Sequence, residues 1–238
     1  MPAQIVPKTP GISVPRYSIV GKYTDEPESR FIQHVALVRE EGPASHGSEV
    51  PVWHMQPPLV TGPISEGRTN QTAKCAAHVV GWLSLTSNER DGIEDWLAEM
   101  DKQARPASVR ALLYQYTVAL HPNDQWHSDE NEVPLYRRFS CVTFVLSAYL
   151  EGAGINLIDM SNVDHVPEVD LETVVRAYGE AYRREGQRRT AVGLPGAGPW
   201  RIILAGYVFH AIDRPDESIR TVPYTVPSTA AASFPFAS

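Results

Sequence analysis

The chain's 238 residues carry an ordinary mixture of apolar and charged side chains, enough to bury a sizeable core without disulfide or metal staples. A net charge of −7 with no basic stripe excludes the electrostatic footprint of a nucleic-acid binder. No apolar run reaches the roughly eighteen residues of a membrane span, and no basic stretch leads into an apolar one at the N-terminus, so a cytoplasmic protein is expected.

Residues 1–20 contain Pro2, Pro7, Pro10 and Pro15 and little periodicity, which predicts an extended arm rather than a packed element. A single α+β domain is expected over 21–220. It opens with a hairpin. "RFIQHVALVRE" and "SEVPVWHMQ" are β-branched and aromatic, and the Gly/Pro/Ser cluster "EGPASHG" separates them. Residues 57–74 form a polar, Gly/Pro-punctuated loop, and "AAHVVGWLSL" is an apolar run of strand length. Thr86 and Glu89 have the spacing of a capping box, and Ile93, Trp96, Leu97 and Met100 follow at i, i+3, i+4, i+7, predicting a helix over 87–103.

A second helix is predicted by Val142, Val145, Leu146 and Tyr149, stopping at the Gly152/Gly154 pair, and a third by Val174, Val175, Tyr178 and Tyr182. "GLPGAGPW" lacks the glycine spacing of a phosphate cradle and reads as a turn. "WRIILAGYVFHAI" is expected as a late strand or strand pair, and 221–238, rich in Pro, Ser and Ala, as a loosely held tail. The order carries no βαβ alternation, so the expected class is α+β, an antiparallel sheet packed against helices.

Chemistry concentrates on one thiol. Cys75 and Cys141 stand in unlike contexts with no CxxC or zinc spacing, and free thiols are expected. In "YRRFSCVTFVLSAYLEGAG" Cys141 opens the second helix, where unsatisfied N–H groups and the positive end of the helix dipole favour a thiolate. A nucleophilic thiol also needs a base, normally an imidazole. Folding the hairpin about its turn pairs Glu40 with Glu49, a register in which partner numbers sum to about 89, and His34 and His54 sum to 88. That puts the two histidines nearly opposite one another, with Cβ atoms about 5 Å apart if they share a face, as a base and its orienting partner require.

"HVALVRE", then a strand leading into "LTSNERDGIEDWLAEM", then "YRRFSCVTFVLSAYLEGAGINL" resembles the circularly permuted papain-like cysteine hydrolases. That group includes permuted NlpC-type peptidases, lecithin:retinol acyltransferase-like enzymes and deSUMOylating isopeptidases. The resemblance covers about residues 30–158 and rests on order and pattern. It implies a permuted papain-like fold with Cys141 as nucleophile at a helix start, Phe144 as the aromatic on that helix, His34 as base and His54 as its orienting partner. It also implies a peptide, isopeptide or acyl substrate. Ser140 stands where many members have Asn, and the insert "HPNDQWHSDENEVP" is outside the pattern.

His78, at the head of "HVVGWLSL", and His210, in "YVFHAIDRP", are rival bases; His210 would restore the unpermuted papain order. Two other classes stay open. One is a protein-interaction module in which Cys141 is core packing, its partner a protein suited to the negative charge and Pro-rich ends. The other is a metal-dependent hydrolase using His121, Asp124, His127 and Asp129, for which a solvated acidic loop is the simpler reading. No cofactor is implied.

Overall fold

The computed structural model describes residues 4–7, 13–24, 30–43, 49–53, 74–76, 78–103, 114–116, 126–128, 134–161, 166–184, 186–191 and 193–227. Its strands in chain order are β1 (Gln4–Pro7), β2 (Ser13–Val14), β3 (Ile19–Tyr23), β4 (Ile32–Val38), β5 (Gly42–Pro43), β6 (Glu49–Trp53), β7 (Lys74–Ala76) and β8 (Val79–Trp82). Helix α1 (Ser87–Gln103) follows, then β9 (Tyr114–Tyr116), β10 (Trp126–Ser128) and β11 (Pro134–Phe139). Strand β11 runs through Ser140 into α2 (Cys141–Ser147), which widens into a π-turn over Ala148–Gly152. The remainder comprises β12 (Glu168–Val169), α3 (Leu171–Tyr178), α4 (Ala181–Arg184), α5 (Gly186–Ala191), β13 (Trp200–Arg201), α6 (Ala205–Ile212) and α7 (Asp216–Thr221).

Six strands form one sheet in the order β1-β8-β3-β4-β6-β7, every pair antiparallel. Strand alternation divides its apolar residues between two cores. Ile19, Val35, Leu37 and Val79 face one way, and Val20, Ala36, Val38, Val50, Val52 and Val80 the other. The continuous apolar run at Val79–Val80 is therefore buried on both sides, as its composition predicts. Helices α2, α3 and α6 all pack along β4, on the face of the larger core. Close approach of α6 depends on glycine: a Cβ on Gly81 would lie 2.3 Å from Ile212 Cδ1, and one on Gly21 2.7 Å from the Phe209 ring. The α+β class with an antiparallel sheet is thus present.

Helix α1 starts at its expected cap. The Thr86 N–H donates to Glu89 Oε2 at 2.7 Å and the Glu89 N–H to Thr86 Oγ1 at 3.3 Å. Ile93, Trp96, Leu97 and Met100 are buried, as their spacing predicts. No helix among the described residues is long and apolar enough to cross a membrane.

Several expectations are corrected. The described residues of the 1–20 segment are packed rather than a free arm: Gln4–Pro7 pairs with β8, and Val14, Tyr17, Ser18, Ile19 and Val20 are buried. Proline did not prevent this, because β1 is an edge strand, where a missing donor is tolerated. Tyr17 donates its N–H to Val38 O and accepts the Tyr149 hydroxyl on its own carbonyl, each at 2.8 Å. The tail is held as far as residue 227, with Tyr224 bridged to Ile158 and Val226 buried; residues 228–238 lie outside the described residues. The third helix is split at Gly179, whose φ of 99° breaks α3 from α4. The late strand is mostly helix: only Trp200–Arg201 is extended, and α6 takes the run from Ala205 to Ile212. An all-round apolar pattern does not distinguish a buried strand from a buried helix, and a helix is what fills the sheet face above Gly21 and Gly81.

Candidate functional site around Cys141

Local sequence explains why the thiol opens a helix. Ser140 is in extended conformation at the cap, its Oγ accepting the Thr143 N–H at 3.0 Å, and Thr143 Oγ1 accepts the Ser140 N–H at 2.7 Å. Two orphan backbone donors are satisfied reciprocally, with Thr in the place usually held by Glu or Gln. The Phe144 N–H then closes the first turn onto Ser140 O at 3.0 Å. Phe144 itself packs edge-on against Phe139 and tilted against Trp96, at ring separations of 5.8 and 5.5 Å, so its role in the described state is core packing.

Cys141 is a free thiol, 1% exposed, and every residue of α2 is buried with it. Burial pushes the thiol up to about 11, against hydrogen bonds to the backbones of Val35, Val142 and Cys141 that favour the thiolate. Desolvation therefore outweighs the helix start, and near neutral pH the described state holds a neutral thiol.

The Val35 contact locates the sulfur. Along β4 the Val38 N–H donates to Ser18 O on the β3 side, and the Arg39 N–H to Pro51 O on the β6 side. Antiparallel strands alternate in this way, so Val35 directs its N–H toward the β6 side, where the described ladder covers only Leu37 and Val38. Cys141 thus sits at an edge of β4 beyond the described end of its pairing with β6.

His34 is the residue before Val35, half-buried on the same strand. Its ladder partner is Lys22, with a β-bulge just beyond, where the register passes from His34 to Ile32. Alternation with Ala36 and Val38 aligns His34 with the second sheet face, whereas Cys141 belongs to the core on the first. The thiol and its expected base are therefore aligned with opposite faces of β4. The described groups that shift the thiol are the three backbones already named, and no imidazole is among them; burial first, and then the charge of an ionised Cys141, hold the Tyr178 hydroxyl well above its ordinary value.

His54 lies outside the described residues. The hairpin itself is present, but its register pairs Leu37 with Trp53 and Val38 with Val52, so partner numbers sum to 90 rather than 88 or 89. Of the rivals, His78 stands exposed just before β8. Its Nδ1 accepts the Tyr23 N–H at 2.9 Å, its own N–H donates to Gly21 O at 2.9 Å, and its ring stacks on Tyr23. That nitrogen lone pair is committed to ending the β3–β8 ladder. His210 occupies the last turn of α6, on a helix rather than the expected strand, and is the half-buried member of an otherwise buried element. Cys75 lies in β7, opposite Val50. Of the insert's candidate ligands, His127 falls in β10, while His121, Asp124 and Asp129 lie outside the described residues. Among the described residues no group of three or more His, Cys, Asp or Glu is placed to hold a metal.

Sequence reasoning missed Tyr178 as a neighbour of the thiol. Its position on the apolar stripe of α3 signals burial, and nothing local signals that α3 and the start of α2 converge on β4. Comparison with known protein families, curated proteins and solved structures found no match.

Proposed function

We propose that this chain is a cysteine-dependent hydrolase or acyltransferase of the permuted papain-like kind, with Cys141 as nucleophile and His34 as base. The observation that supports it is the placement of the Cys141 thiol, at the capped start of α2, against the backbone of Val35 on the strand that carries His34. Histidine strand first and cysteine helix second is the chain order the resemblance implies.

The chemistry follows from these groups. Ionised Cys141 attacks the carbonyl carbon of an amide or ester, forming an S–C bond while the carbonyl oxygen takes up negative charge. The Cys141 and Val142 N–H groups, which the cap leaves uncommitted, face that charge. The imidazole of His34 accepts the thiol proton and returns it to the departing amine or alcohol; water or an acyl acceptor then releases the acyl group. His54 is the proposed orienting partner of His34, and the substrate class is a peptide, isopeptide or acyl ester. The buried neutral thiol is the resting state in this reading, and catalysis requires a rearrangement that brings the sulfur out of its apolar seat to the His34 imidazole, which the described state aligns with the opposite face of β4.

Turnover of a p-nitrophenyl ester and of a peptidyl aminocoumarin tests the assignment. Cys141→Ala should abolish turnover of either with its circular dichroism unchanged, and His34→Ala should lower it and remove its dependence on pH near neutrality. Turnover that survives Cys141→Ala, or thiol-directed labelling that moves to Cys75, rejects Cys141 as the nucleophile.

A second reading is favoured by one observation. A thiol 1% exposed and held neutral by burial is what a packing cysteine looks like, in which case the chain is a protein-interaction module. Absence of turnover from wild type, together with thiol silence until denaturation, selects it.

A further inference from the structure

Trp53, the last residue of β6, carries a polar atom without a partner. Its side chain is half-buried against the larger core, and its indole Nε1 is buried and meets no acceptor. Among the described residues four other buried side-chain atoms are unbonded, but each belongs to a side chain that is bonded elsewhere: Arg16 to Glu94, Arg189 to the Tyr182 carbonyl, Arg214 to the Ala211 carbonyl, and Asp216 to Arg220. Trp53 has no second polar atom to compensate, since an indole N–H is a donor and nothing else. Buried donors are paired in nearly all folded proteins, so this one calls for an acceptor that the folded chain does not supply.

The β4–β6 ladder puts that donor next to the thiol. Trp53 is paired with Leu37, so the two share a face of the sheet, the face of the larger core to which Val35 and Cys141 belong. Val35, two residues along β4 from Leu37, is the diagonal neighbour of Trp53 on that face, at about 7–8 Å and within reach of an aromatic side chain. Helix α2 packs along β4, and its first residue lays the sulfur against the Val35 N–H, on the side of β4 toward β6. Thiol and indole thus occupy one face and one side of the same strand. The uncommitted Cys141 and Val142 N–H groups stand at the sulfur as well.

We propose that the Trp53 indole N–H is an oxyanion donor of the Cys141 site, holding the substrate's carbonyl oxygen together with the N–H groups at the start of α2. This rests on the reading of Cys141 as the nucleophile. As the S–C bond forms, the carbonyl π pair moves onto oxygen and Nε1–H donates to the oxyanion; the indole keeps its proton. When the C=O bond re-forms, the amine or alcohol departs with the proton that His34 took from the thiol. A donor fixed by strand pairing before the charge develops needs no reorganisation at the moment of reaction.

The test compares two reactions of one thiol in the full-length chain. Turnover of the p-nitrophenyl ester puts charge on a carbonyl oxygen, whereas alkylation by iodoacetamide, read from the mass of the Cys141 peptide, expels iodide and forms no oxyanion. Trp53→Phe removes the N–H and keeps an aromatic ring; it is expected to lower kcat about a hundredfold and to leave the alkylation rate within about twofold of wild type. Benzothienylalanine incorporated at position 53 exchanges the N–H for sulfur at nearly the same volume. It should give the same split, and it decides the matter if Trp53→Phe does not fold. Turnover unchanged in a folded variant, or turnover and alkylation falling together, overturns the donor role. Cys141→Ala judges the nucleophile separately: turnover lost there but kept in the position-53 variants rejects Trp53 alone, whereas a wild type without turnover, or turnover that survives Cys141→Ala, rejects the nucleophile and its oxyanion donor together.

Discussion

Raising the pH should unfold this protein partly through Cys141, by an amount that follows from its burial. The thiol rises from an ordinary value of 9.0 to about 11 in the folded chain, a shift worth about 3 kcal/mol between its protonation states. Because the folded value is the higher one, the unfolded chain loses this proton first. The contribution is whole below pH 9, and it is withdrawn as pH rises from about 9 to about 11, with about 2 kcal/mol gone at pH 10.5. Cys141→Ala removes the titration and costs on the order of 1–2 kcal/mol in lost packing at neutral pH. Urea unfolding of both proteins at pH 7, 9 and 10.5 isolates the effect, since every other titratable group is present in both. The stability advantage of wild type should shrink to about zero or reverse by pH 10.5. A difference that stays constant from pH 7 to 10.5 would refute the burial argument and imply a thiol that is hydrated or stabilised as the anion in the folded state.

The cap and the α7 tie yield two further expectations. Thr143→Val keeps the side-chain volume but removes the oxygen that accepts the buried Ser140 N–H at 2.7 Å, so it should destabilise the chain by about 1–2 kcal/mol in urea unfolding; an unchanged midpoint would mean that water or another acceptor replaces it. Burial raises the Glu89 carboxyl, but hydrogen bonds from Arg220 and Thr86 outweigh it and hold the group below its usual range. Stability from Glu89 is therefore present above the unfolded carboxylate pKa and lost as pH falls through the folded one. The advantage of wild type over Glu89→Gln should be largest at pH 6–7 and vanish toward pH 3, as followed by thermal melting; a difference that does not fall with pH would show that the charge of Glu89 contributes nothing.

Much of the fold was legible in local pattern. The α1 helix declared itself through a capping box and four apolar residues at helical spacing, signals confined to one element and needing no partner. The hairpin of β4 and β6 was legible for the same reason, from two β-branched runs about a Gly/Pro/Ser turn. Its register was not, because the turn length alone left the pairing uncertain by one or two residues, and the ladder settled at a sum of 90. The run from Trp200 to Ile212 went wrong where local pattern is silent: continuous apolarity says buried, and only the space over Gly21 and Gly81 decides that a helix fills it. Proline in residues 1–20 likewise argued for an arm, since nothing in that segment announces that β8 has an edge free to receive it.

The candidate site divides along the same line. That Cys141 begins a helix is written in Ser140, Thr143 and the apolar stripe behind them, because helix starts are made by side chains three residues apart bonding nearby backbone. The state of the thiol was beyond the sequence: a helix start favours the anion, burial opposes it, and burial depends on β4, α2 and α6 coming together from distant parts of the chain. Capping is local and readable, whereas desolvation is a property of the assembled core. The sequence by itself determined that a thiol opens this helix; the tertiary structure alone decided that the thiol rests buried and neutral, aligned with the face of β4 opposite to His34.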